Sequence, residues 1–217
     1  MKKHTLLSDI VVFLLIFFLF IVPPFFAAAI TSENPLFLNF KFPWYTLLLA
    51  ILSGVILFFY YEKKEIKFPL IVFRILYTYG LMFASALFCQ FISIAITGSN
   101  GVTAEIVVKP HGFTQWIFFL FNFLFSAFYE EVIYRFYFPD ALLSLITWKK
   151  DFRNSKLLCE ILGLLAFAFA HQYLGWIAVL NAGIAHILLR ICYKKTGKVW
   201  PGVIAHFLYN VISLILL

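Results

Sequence analysis

Charged side chains are scarce in this sequence. Lysine, arginine, aspartate and glutamate make up 12% of its 217 residues, whereas 64% of the residues are hydrophobic and 21% are aromatic. A soluble domain needs a larger polar surface than this composition supplies, so the composition excludes a soluble protein and indicates a helical membrane protein. We predict an all-α fold, a polytopic bundle of about seven transmembrane helices that forms one domain over residues 1–217.

Cysteine is also rare, and its arrangement excludes two kinds of site. Cys89, Cys159 and Cys192 lie within apolar stretches and show neither paired spacing nor the spacing of metal ligands. The sequence therefore predicts neither a disulfide framework nor a cysteine metal site. We interpret the three cysteines as packing residues.

The net charge of +7 raises the question of a nucleic-acid partner. The basic residues, however, occur in short clusters between apolar stretches, as topology signals do, so no nucleic-acid partner is predicted. The clusters on one side of the predicted membrane are Lys2, Lys3, Lys63, Lys64, Lys67, Lys149, Lys150, Arg153, Lys156, Lys194, Lys195 and Lys198. The loops on the other side contain only Lys41 and Lys109. The positive-inside rule then predicts a multi-pass protein of the cell (inner) membrane with a cytoplasmic N-terminus and an external C-terminus.

Seven apolar stretches are candidates for membrane spans. They are Leu6 to Ile30, Pro43 to Tyr61, Pro69 to Ile96, a fourth that starts near Phe113, Leu157 to Tyr173, Trp176 to Tyr193 and Val199 to Leu217. Pro139 is expected to break the fourth span, and Asp140 to Trp148 is predicted to form a short interfacial helix. The first stretch also has features of a cleaved signal peptide, but it is longer than a signal core and contains Pro23-Pro24. We therefore interpret it as a span.

The fourth span contains charges that are costly in lipid. Each acidic or basic side chain costs roughly 2.5 to 3.5 kcal/mol at the centre of a membrane helix, so Glu130, Glu131 and Arg135 need partners, water or a function. Glu131 and Arg135 are four residues apart with the acid first, the favourable order for an ion pair on one helix face. Glu130 lies about 100° round the helix and is left available as a general base.

Two later spans place polar side chains at helical spacing. Phe167 precedes His171 by four residues, and His206 precedes Asn210 by four residues. The second pair would aim two hydrogen-bond donors at one volume, which suits an oxyanion hole or a ligand site. Interhelical hydrogen bonds that hold the bundle together explain the same residues, and a histidine near a helix end is more often structural.

In chain order, these residues form the patterns Glu-Glu-x-x-x-Arg, Phe-x-x-x-His and His-x-x-x-Asn on successive predicted membrane helices. The combination resembles the CPBP (Abi) family of intramembrane proteases, which includes type II CAAX prenyl endopeptidases and bacteriocin-processing or immunity proteins. The resemblance covers residues 113–212. Residues 113–217 are thus predicted to form the catalytic core, and residues 1–112 to contribute spans without a family motif.

The resemblance implies a role for each residue in the three patterns. Glu130 activates the attacking water with help from His171. His206 and Asn210 stabilise the oxyanion, while the second glutamate and the arginine complete the first pattern. The implied activity is endopeptidase cleavage of a membrane-associated protein or peptide within the lipid bilayer.

A metal-dependent mechanism is an alternative for the same residues. His171, His206 and a glutamate offer three zinc ligands and leave a fourth position for water. We predict a metal-free mechanism without a cofactor, because the zinc-protease pattern His-Glu-x-x-His is absent and a base with oxyanion donors accounts for every motif residue. His186, where the family usually carries a small residue, departs from the pattern. We favour a packing role for it, with proton transfer and metal binding as alternatives.

Two other functions compete with proteolysis. A scaffold or immunity protein would use the same bundle to bind a partner, and a proton-coupled transporter would use buried Glu and His side chains as a proton relay. The complete motifs argue against the first function. The lack of an internal repeat or of a second broken helix argues against the second.

Helical geometry leaves a conflict between the predicted depths of two histidines. At a rise of about 1.5 Å per residue, His206 lies about 10 Å above the cytoplasmic end of its span and His171 about 20 Å above the end of its own. The two side chains must be level to share a site. Either helix tilt or a deeper start of the fifth span has to lower His171.

Polar residues outside the three patterns receive structural interpretations. Arg74, Glu160 and Arg190 lie near cytoplasmic span ends, so their side chains are predicted to extend to the interface. Gln90, Asn122 and Asn181 lie inside spans and are predicted to form hydrogen bonds between helices.

Overall fold

The structure is a computed structural model that describes residues 6–29, 41–60, 68–98, 110–150 and 152–216. Regular secondary structure in these residues is helical throughout, which confirms the predicted all-α fold. The α-helices are α1 (Leu6–Ile16), α2 (Trp44–Tyr60), α3 (Phe68–Thr97), α4 (Phe113–Glu130), α5 (Phe138–Ile146), α6 (Ser155–Phe169), α7 (Trp176–Thr196) and α8 (Trp200–Leu216). Shorter turns are the π-helices Phe17–Ile21 and Glu131–Tyr137 and the 3₁₀-helices Pro23–Phe26 and Gln172–Leu174.

A helical stretch overlaps each of the seven predicted spans, although α6 ends at Phe169, before the predicted end of the fifth span at Tyr173. Four helical stretches within the described residues are long and apolar enough to cross a membrane, namely Leu6–Phe26, Phe68–Thr97, Phe113–Ile146 and Trp176–Thr196. Helices α2 and α8 are apolar but shorter. Large apolar side chains such as Phe26, Phe58 and Phe113 are more than 80% exposed, as contact with lipid requires. The protein is therefore a helical membrane protein.

The fourth span contains a change of helix type where a break at Pro139 was predicted. A proline inside a helix lacks an N–H group, and its ring clashes with the carbonyl four residues earlier, here that of Arg135. The chain widens into the π turn Glu131–Tyr137 and resumes as α-helix at Phe138, with the proline in the first turn. The predicted short helix is present as α5, which packs against α1 and α6.

The π turn Glu131–Tyr137 lies at the centre of the bundle. All seven of its residues are buried, and it contacts α2, α6 and α7. Helix α8 packs against α3, α4 and α7, while α3 also packs against α7. The three segments that carry the polar patterns are thereby brought around one buried turn.

The predicted interhelical hydrogen bonds of Asn122 and Asn181 are confirmed. Thr46 Oγ1 on α2 donates to Asn122 Oδ1 on α4 at 2.8 Å. Asn181 on α7 accepts from Ser85 Oγ on α3 at 3.2 Å and donates to Tyr209 Oη on α8 at 2.6 Å. These bonds tie neighbouring helices together away from the acidic pair.

Some sequence-based expectations concern residues outside the described ranges. These residues are Lys2, Lys3, Ile30, Tyr61, Lys63, Lys64, Lys67, Lys109 and Leu217, together with most of the loop between the third and fourth predicted spans. The two ends of that loop are described, and Gly98 and Gly112 both have positive φ angles, of 69° and 88°. Glycine is the residue that adopts such angles without steric cost.

Candidate active site

Glu131 and Arg135 form the predicted ion pair. Arg135 Nε lies 3.4 Å from Glu131 Oε1, and each side chain is only 1% exposed. The guanidinium also stacks on Phe167 of α6, with Cζ 3.7 Å from the ring centroid. A cation–π contact of this kind contributes about 2 kcal/mol or more when it is shielded from water. Arg135 is therefore held by its own helical stretch and by α6.

Glu131 has a second partner on α8. Its Oε1 atom lies 3.0 Å from Nδ1 of His206, so one carboxylate contacts both the arginine and the histidine. The close approach of α8 depends on Gly202. A Cβ atom at that position would lie 2.7 Å from Glu131 Oε2, too close for the carboxylate to stay where it is. The small residue thus makes room for the acid that orients the His206 ring.

Glu130 faces the opposite edge of the same imidazole ring. Its Oε2 atom lies 3.8 Å from Nε2 of His206, and its side chain is 15% exposed. The two neighbouring glutamates therefore have different environments. Glu131 is enclosed between a cation and a histidine, whereas Glu130 is the more accessible of the two.

His171 lies just beyond the end of α6, in the turn that follows Phe169. Its Nδ1 atom is 2.9 Å from the carbonyl oxygen of Phe167, and the two rings have centroids 4.6 Å apart. A carbonyl can only accept, so Nδ1 carries the proton, which leaves Nε2 of a neutral ring with a lone pair. His171 is also close enough to Glu130 and His206 to interact electrostatically with both.

The register of α6 against the fourth span removes the depth conflict. The Arg135 guanidinium lies over Phe167, and the ring of Pro139 lies beside Gly163, 3.1 Å from where a Cβ atom would be. The two segments thus run antiparallel in register, and one further turn places His171 level with Glu131. The first turns of α6 lie beside α5.

Only its helical spacing from His206 relates Asn210 to the site. It lies one turn beyond His206 on α8 and is partly buried. The structure therefore brings Glu130, Glu131, Arg135, His171 and His206 into one cluster through side-chain contacts or electrostatic proximity. Asn210 shares the helix face of His206.

His186 lies close to this cluster. It is 2% exposed, and its ring centroid is 5.6 Å from that of Phe167. Its Nε2 atom would be 3.9 Å from a Cβ atom at Gly163, so the ring fits against a helix surface without a side chain. Neither ring nitrogen forms a hydrogen bond with another described residue. Among the described residues, no group of three or more His, Cys, Asp or Glu side chains is arranged to hold a metal ion.

The predicted extension of the Arg190 side chain to the interface is wrong, whereas the Glu160 side chain is partly exposed. Arg190 is 5% exposed and points into the bundle. Its Nε and Nη2 atoms donate to both carboxylate oxygens of Glu160 at 2.7 to 3.2 Å, and Nη2 also donates to Asp140 Oδ1 at 2.7 Å. A charge that can reach carboxylates on α5 and α6 is stabilised by them and does not need the interface.

Sequence reasoning missed this cluster, although one signal was available. Pro139 follows Arg135 by four residues, so the Arg135 carbonyl loses its usual helical donor and needs another. Arg190 Nη1 donates to that carbonyl. No comparable signal marks Gly202, because its role depends on which helix faces it.

The fold and the cluster define a class of protein: a polytopic helical membrane protein with carboxylates, histidines and an arginine paired inside the bundle. Residues 112–212 match a family model described as Rce1-like, type II CAAX prenyl endopeptidase Rce1-like. The match agrees with the resemblance of this segment to the CPBP family. The family indicates an intramembrane protease that acts on a protein or peptide substrate. Comparisons with curated proteins and with solved structures gave no match.

Proposed function

We propose that the protein hydrolyses a peptide bond of a membrane-associated protein or peptide with a water molecule that Glu130 activates. The observation that carries this proposal is the placement of Glu130 and His206 Nε2 3.8 Å apart on different helices. A base and a hydrogen-bond donor thus face one volume, and the neighbouring Glu131 is already occupied by Arg135 and His206.

Glu130 is the only side chain that has to take up and release a proton in the proposed reaction. The Glu130 carboxylate takes a proton from water while the water oxygen attacks the carbonyl carbon. The C–N bond then breaks, and the same side chain returns the proton to the leaving nitrogen. His171 supports the first step, because the lone pair on its Nε2 atom can accept a hydrogen bond from the water.

His206 and Asn210 are the proposed donors to the oxyanion. Nδ1 of His206 donates to the Glu131 carboxylate, so Nε2 has a proton to donate only when the ring carries both protons. The Glu131 carboxylate stabilises that charged ring, as in a carboxylate–histidine pair of other hydrolases. The Asn210 amide, one turn away on the same face, adds an uncharged donor.

A matched pair of variants tests the base. Glu130→Gln keeps the shape of the side chain but cannot accept the proton, so cleavage should fall to background while the protein still inserts and stays monodisperse in detergent. Asp9→Asn is the control, since it makes the same chemical change on α1, where the carboxylate interacts with Tyr60 and Tyr137 and not with a proposed catalytic residue. Comparing membrane proteomes of cells with wild type and with Glu130→Gln should reveal uncleaved substrates only in the latter. Near-normal cleavage by Glu130→Gln would exclude this mechanism and favour a binding role for the cluster.

Chelation separates the metal-free mechanism from the zinc alternative in the same preparation. We expect substoichiometric zinc in the purified protein and full cleavage after treatment with a chelator. Stoichiometric zinc, with cleavage that a chelator abolishes and added zinc restores, would instead show that the histidines and a glutamate act as ligands.

A further inference from the structure

Arg190 of α7 binds a backbone group of the π turn Glu131–Tyr137. Its Nη1 atom donates to the carbonyl oxygen of Arg135. In a regular α-helix that carbonyl would accept from the N–H group four residues later, but the residue there is Pro139, which has none. A buried carbonyl without a donor is costly, and Arg190 supplies a donor to this one from another helix.

Two carboxylates hold Arg190 in place. Glu160 accepts from Nε and Nη2, and Asp140 accepts from Nη2. Lys194, one turn later on α7, also pairs with Glu160, with Nζ 2.6 Å from Oε1. The two acids and two bases balance each other. Asp140 and Lys194 are more than half exposed, whereas Arg190 is buried, so its guanidinium is paired without drawing charge from the carboxylates of the site.

We propose that Arg190 is a positioning residue for the acidic pair, acting through the main chain of the π turn. The carbonyl that it binds belongs to Arg135, whose side chain holds Glu131, which in turn holds His206. Arg190 thereby fixes the position of the turn that contains Glu131 and directly follows Glu130. The proposal rests on the proposed proteolytic function, since its main readout is cleavage.

Arg190→Gln should lower kcat by about 10- to 100-fold, the range that corresponds to losing one charge-assisted hydrogen bond. KM should change little, because Arg190 does not contact the site where the substrate reacts. Lys194→Gln is the matched control, since Lys194 binds the same glutamate but not the π turn. It should cleave at nearly the wild-type rate. Equal kcat values for the two variants would overturn the proposal.

A double-mutant cycle with Pro139→Ala tests the route through the carbonyl. Alanine restores an N–H group at position 139, so the Arg135 carbonyl no longer depends on Arg190. The loss of kcat caused by Arg190→Gln should therefore be several-fold smaller in the Pro139→Ala background. If Arg190→Gln lowered kcat by the same factor in both backgrounds, this route would be contradicted, since a general structural defect would not depend on residue 139.

A further variant keeps the test decisive if Arg190→Gln does not fold. Arg190→Gln combined with Glu160→Gln removes one charge of each sign, so no isolated anion is left in the bundle. If this folded variant cleaves like wild type, the proposal is wrong. The failure of the proposed function is a separate result, because it appears as cleavage by Glu130→Gln whatever Arg190 does.

Discussion

The size of single residues determines how the charged side chains of this site pack. The Glu131 carboxylate is 1% exposed and lies between Arg135 and His206, with no freedom to move away from either. Gly202 of α8 lies beside this carboxylate, where a Cβ atom would be 2.7 Å from Oε2. A residue without a side chain is thus as important for the arrangement as the charged ones.

Gly202→Ala should disturb the contacts of the Glu131 carboxylate with Arg135 and His206. The new methyl group would lie 2.7 Å from Oε2, so either the carboxylate or α8 has to shift. We expect a loss of about 1 to 3 kcal/mol in the free energy of unfolding, typical of overpacking, and a drop of at least tenfold in kcat. Thermal unfolding in detergent and single-turnover cleavage measure the two effects.

Gly80→Ala is the matched control, because a Cβ atom at this helical glycine of α3 meets nothing within 4 Å. Stability should be kept or slightly raised there, since alanine favours a helix more than glycine does. If both variants behaved alike, the close contact at Gly202 would have no consequence for the site.

At the scale of helices, the π turn and α6 decide which residues meet. Pro139 widens the fourth span, and the register between this span and α6 then pairs Arg135 with Phe167 and Pro139 with Gly163. Helix α7 closes the arrangement from the other side, where His186 fits against Gly163. His186 packs against this helix surface and the Phe167 ring, and Arg135 and Arg190 are near enough to interact with it electrostatically.

His186→Phe tests this packing role. The ring is 2% exposed, and neither of its nitrogens bonds to another described residue, so an apolar ring should remove a desolvation cost of about 1 to 3 kcal/mol. We expect a higher melting temperature with cleavage unchanged. His111→Phe, at an exposed position, is the control and should leave the melting temperature unaltered. Lost cleavage in a well-folded His186→Phe protein would instead indicate proton transfer.

At the scale of the whole molecule, apolar surface and charged loops define how the protein lies in a membrane. Large apolar side chains are exposed along most helices, whereas Lys149, Lys150, Lys194 and Lys195 are exposed at helix ends. Basic side chains of this kind are retained on the cytoplasmic side during insertion. The orientation of the termini remains a prediction from this pattern.

A C-terminal reporter tests the predicted orientation. With seven spans and a cytoplasmic N-terminus, the C-terminus lies outside, so a reporter that is active only in the cytoplasm should stay silent. A reporter that requires the external compartment should be active on the same fusion. The opposite pair of results would show an even number of spans and place α8 in the other direction.

The sequence by itself determined the features that depend on local chemistry. The apolar composition predicted a helical membrane bundle, and spacing by four predicted the Glu131–Arg135 pair, because neighbours on one helix are set by the geometry of that helix. The same rule aligned His206 with Asn210. A resemblance carried by three short motifs pointed to the family that residues 112–212 match.

Only the tertiary structure decided which groups from different helices meet. Sequence spacing says nothing about the rotation or depth of one helix against another, so the contact of His206 with Glu131 and the place of Gly202 were out of reach. Burial of Arg190 was mispredicted for the same reason. A charge near a span end extends to the interface unless carboxylates on other helices lie within reach, and here Glu160 and Asp140 do.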